Sequence, residues 1–104
     1  MGLLLTAWRR LQARRHVPDG LQASLADDLR AFGIIEGSAD VNRYERVAQH
    51  IIDDVRYRPS ISRLQAAESL FVSMDKIGAT ESSDAATESV IDRIVWRVNS
   101  GNLQ

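Results

Sequence analysis

Between Asp40 and Val55 the residues Val41, Tyr44, Val47, Ala48, Ile51, Ile52 and Val55 recur at intervals of three and four. That spacing lays apolar side chains along one broad stripe of an α-helix. Asn42, Arg46, Gln49, His50 and Asp53 fall on the opposite side. A helix of this length is marginal alone and gains its stability from packing an apolar face. The stripe therefore demands partner helices, and the flanking segments carry matching patterns.

Residues 3–16 (LLLTAWRRLQARRH) read as a first helix, with Leu4, Ala7, Trp8 and Leu11 along one side and Arg9, Arg10, Arg14 and Arg15 on the other. Val17-Pro18-Asp19-Gly20 breaks it. Leu21, Leu25, Leu29 and Phe32 mark a second helix, with Asp19 placed to cap it and Gly33 to end it. Asp28 is expected to meet a basic residue of a neighbouring helix, such as an arginine of 3–16, and Ile34 and Ile35 to plug the core beneath the loop. The third helix should stop near Tyr57, because Pro59 disfavours helical geometry at Arg58. Ser62 and Gln65 form a capping-box pattern for a fourth helix, whose inward stripe is expected at Leu64, Ala67, Phe71 and Met74, widened by Leu70 and Ile77. Gly78 ends it, and Val90, Ile91, Ile94, Val95 and Val98 define a fifth helix over 84–100.

The expected fold class is thus all-α: a compact bundle of about five short-to-medium helices around a single core, with residues 1–104 as one domain and the third, fourth and fifth helices forming the main core. A chain of 104 residues with 44% hydrophobic and 26% charged residues supports one modest core and argues against disorder. The net charge of −1 argues against a polyanion binder in which the whole domain takes part. The absence of cysteine excludes disulfide scaffolds, thiolate metal sites and cysteine nucleophiles. Only Lys76 among the thirteen basic residues is not arginine, a skew that fits GC-rich coding and a bacterial or phage origin. No apolar run approaches the ~20 residues that span a bilayer. The opening GLLLTAW precedes its arginines, the reverse of a secretory signal, so the expected location is cytoplasmic.

Catalytic chemistry finds little foothold. His50 could pair with Asp54 one turn away, but the other histidine, His16, lies in a different helix, and no metal-ligand spacing occurs. Asp27-Asp28 and Asp53-Asp54 are adjacent, so on a helix their side chains diverge by about 100°. No nucleophile elbow, phosphate loop or dinucleotide fingerprint is present. The expectation is a chain that is not an enzyme, with no metal, cofactor or small-molecule substrate. An ordered metal or a deep polar pocket holding His50 would be the sign of one.

What remains is binding. Trp96 falls opposite the Val90–Val98 stripe, among Ser89, Asp92 and Asn99. A large aromatic on a polar face either anchors a protein partner or a second copy, or packs against the first or second helix from the far side. Trp8 with Leu3, Leu4 and Leu5 forms a second apolar end suited to docking. By elimination, the leading expectation is a small regulatory protein-interaction module, such as an inhibitor, an antitoxin-like protein or an accessory factor, that docks a helical surface on its partner. The alternative is a nucleic-acid-binding regulator gripping phosphates through Arg9, Arg10, Arg14 and Arg15.

Overall fold

A computed structural model describes residues 20–101, and four helices account for most of them: α1 (Gly20–Phe32), α2 (Val41–Val55), α3 (Arg63–Lys76) and α4 (Asp84–Asn99). The described residues therefore hold four helices rather than about five; the helix expected over 3–16 and the Asp19 cap lie outside them. All-helical architecture is confirmed, including the β-branched run of α4.

The helix boundaries follow local chemistry. Asp40 caps α2 by accepting from Asn42 N at 2.9 Å. Ser62 and Gln65 form the reciprocal capping box on α3, and Ser83 Oγ accepts from Ala86 N on α4. Such caps satisfy backbone donors that have no partner within the helix. Gly33 and Gly78 close α1 and α3 with φ of +63° and +66°, a conformation that costs glycine nothing. There the amides of Ile34 and Ala79 reach back to Leu29 O and Met74 O. The first of these turns sends Ile34 and Ile35 directly into the core, as expected.

Six side chains of α2 are buried: Tyr44, Val47, Ala48, Ile51, Ile52 and Val55. Leu25, Ala26 and Leu29 of α1 cover one flank of this stripe, so α1 belongs fully to the core rather than standing outside a bundle of the later helices. On the other flank packs α3; α4 lies against α3 and closes back on α1, completing a ring of four. Val41 of the expected stripe is left exposed at the start of α2.

The inward face of α3 differs in part from expectation. Leu70 and Met74 are buried as expected, but Leu64 is 70% exposed and Phe71 is also open, and Ala66, Ser69 and Ser73 are buried instead. The buried face is turned toward the small side chains Ala66, Ser69 and Ser73. Arg63 reinforces this rotation by pairing with both Glu88 and Asp92 of α4. Apolar size, the cue read from the sequence, lost to the fit between neighbouring helices.

The connections are tied to one another. Glu36 N donates to Thr80 O and Ser82 N to Ile34 O, both at 2.8 Å, around a single antiparallel bridge between Ile35 and Glu81. The Tyr44 hydroxyl accepts from Ile35 N at 3.1 Å and donates to Ser38 O at 3.2 Å. At another connection, Asn99 Oδ1 accepts from Ile61 N at 2.9 Å. Replacing Tyr44 with Phe keeps the buried ring but strands the Ile35 amide. Stability should fall by about 1–3 kcal/mol, read as a lower denaturant midpoint with an unchanged m-value.

Candidate functional site

The outward ridge of α4 is built by an ion pair on its inner side. Arg97 is 9% exposed; its Nε donates to Asp28 Oδ2 at 2.8 Å and its Nη2 to Ser24 Oγ at 2.7 Å. Asp28 thus meets a basic residue, as expected, but one from the last helix rather than from 3–16. Removing a charge from water is expensive unless hydrogen bonds satisfy it, and this guanidinium has them. Arg93, one turn earlier, lies 3.8 Å from the same carboxylate oxygen. Its guanidinium carbon also sits 5.3 Å from the centroid of the Trp96 ring, within cation–π range.

Trp96 is therefore held from below while 51% of its surface remains open. Phe32, Ser89, Asp92 and Arg93 line a shallow depression with it. Phe32 comes from the last turn of α1, so the depression lies between α1 and α4, and α1 does not enclose the tryptophan. Asp92 links this depression to Arg63 at the start of α3, next to exposed Leu64. Of the residues expected to bind a partner or nucleic acid, Trp96 alone lies in the described part. Leu3, Leu4, Leu5, Trp8, Arg9, Arg10, Arg14 and Arg15 lie outside it.

A second feature lies between α2 and α3, where the small side chains of α3 leave a polar cleft of about 260 Å³. His50 and Asp54 of α2, Arg58 just beyond it, and Gln65, Glu68, Ser69, Ser73 and Lys76 of α3 line it. His50 was expected on a solvated face paired with Asp54. Instead it is half-buried on the cleft wall, and Asp54 pairs with Arg58 at 3.7 Å. Asp53 accepts from Gln49. Among the described residues His50 makes no hydrogen bond to Ser69 or Ser73, so the contact between nucleophile and base that acyl transfer needs is not formed. No group of three or more potential metal ligands occurs among them either.

The chain matches no known family model, no curated protein and no solved structure. No helix among the described residues is long and apolar enough to cross a membrane.

The arginine partners of Asp28 and the cleft were not legible in the sequence, although signals existed. Arg93 and Arg97 are one turn apart on the edge of α4 nearest Asp28, and Ala66, Ser69 and Ser73 recur at three and four. Replacing Asp28 with Ala leaves Arg97 buried and unpaired, which should cost about 3 kcal/mol. In a Trp8→Phe background, where Trp96 is the sole tryptophan, the same change should move its emission to longer wavelength as Arg93 loses its tether.

Proposed function

We propose that the chain is a small non-catalytic interaction module that docks the outward face of α4 onto a protein partner, with Trp96 as the anchor. The observation that carries this reading is a large aromatic side chain, half open to solvent, that lies beside the Arg93 guanidinium and shares a shallow depression with Phe32. Anchors of this kind contribute much of an interface's energy, and fixing the ring beforehand lowers the entropy lost on binding. Asp92 and Arg93 beside it supply a charged rim for register. A photo-crosslinking residue at Ser89 should give one discrete protein adduct in the source cell. That adduct should disappear with Trp96→Ala and should not form from the same residue placed at exposed Asp53. An absent adduct, or one indifferent to Trp96, would overturn the reading.

One observation favours a second reading, nucleic-acid binding through Arg9, Arg10, Arg14 and Arg15. Positive charge is segregated along the chain: residues 1–19 hold four arginines and one acidic residue, whereas residues 20–104 hold nine basic and thirteen acidic residues. Under this reading, affinity for a short duplex falls steeply with salt and is lost in the Arg10→Glu/Arg14→Glu double variant. Fluorescence anisotropy at low ionic strength measures both effects, and flat titrations would exclude it.

A further inference from the structure

The cleft between α2 and α3 has polar groups that the fold leaves unused. Ser69 is 2% exposed, and its Oγ has no hydrogen-bond partner among the described residues. A buried hydroxyl in that state is costly, and native structures rarely leave one so. Glu68, Lys76 and His50 on the same walls also have no hydrogen-bond or ion-pair partner among the described residues. Bundle helices typically meet on apolar side chains, yet this seam is lined by two serines and by charges of both signs.

The charges are ordered along the cleft. The short connection 56–62 sets the end of α2 beside the start of α3. Arg58 and Gln65 then mark one end, Asp54 and Glu68 the middle, and His50 and Lys76 the other end. Glu68 and Lys76 are eight residues apart, about 12 Å along a helix axis. A ligand spanning the two must carry a positive group at the middle and a negative group at the Lys76 end.

We propose that this cleft binds a small zwitterion of dipeptide size. Its ammonium lies between Asp54 and Glu68, and its carboxylate lies against Lys76 and His50. The volume of about 260 Å³ sets the size, somewhat below that of common drug-sized sites. The opposed charges set the class, since a simple anion would meet two carboxylates and a simple cation would meet Arg58 and Lys76. The site is separate from the Trp96 face and stands or falls independently of it.

The test is a titration of the full-length protein, labelled with ¹⁵N, with L-alanyl-L-alanine, followed by amide chemical shifts. The expected result is saturable shifts centred on His50, Ser69 and Ser73, with a dissociation constant in the millimolar range or below. The N-acetylated dipeptide and the dipeptide amide, each lacking one charge, should bind at least about threefold more weakly, as the loss of one partly exposed ion pair predicts. Glu68→Gln and Lys76→Met, at exposed positions that leave the core intact, should each have a similar effect at unchanged melting temperature. Shifts that fail to saturate, that spread over the surface, that persist equally with the blocked dipeptides or that ignore both substitutions would overturn the proposal.

Discussion

Six buried side chains on one helix hold this structure together. Tyr44, Val47, Ala48, Ile51, Ile52 and Val55 give α2 an apolar face wide enough to take α1 on one flank and α3 on the other. Because α4 then bridges α3 and α1, every helix in the ring depends on that central stripe, directly or at one remove. Burying a large aliphatic side chain contributes roughly 1.5–3 kcal/mol, so no polar interaction among the described residues rivals the six-residue stripe. The polar contacts have a different role: they select which of several possible packings is adopted.

The clearest case is the last helix. Its apolar stripe would tolerate some rotation, but Arg97 must reach Asp28 and Ser24 or remain buried without a partner. That requirement sets the rotation of α4 and turns Trp96 outward. Arg63, joined to Glu88 and Asp92 at the neighbouring edge, is consistent with the rotation of α3 that leaves Leu64 and Phe71 facing solvent.

Much of the helical framework could be read from residue spacing, and little of the surface could. The stripe of α2, the Ser62–Gln65 box, the terminal glycines Gly33 and Gly78 and the buried plugs Ile34 and Ile35 rest on local rules of geometry and capping, which act within a few residues. The rotation of α3 was not legible, because it depends on how α3 packs against both α2 and α4, a property of several helices together. His50 was misplaced for the same reason: a single-helix projection calls its side polar and solvated, and only the neighbouring helix turns that side into a cleft wall. The outward position of Trp96 was legible because a large apolar residue among polar neighbours conflicts with its own helix, a contradiction visible without any partner.

The ties between connections also bear on how the chain responds to force. An unfoldase that engages the protein near Gly101 and pulls cannot peel α4 away as a free end. The load arrives first at Asn99, which grips the backbone of Ile61, and then at Arg97, which grips α1. Behind both ties lies the apolar seam, and beyond them the Ile34–Ser82 and Glu36–Thr80 bonds join the α3–α4 connection to the α1–α2 connection. Peeling α4 from this end therefore also means breaking its ties to the α2–α3 connection and to α1.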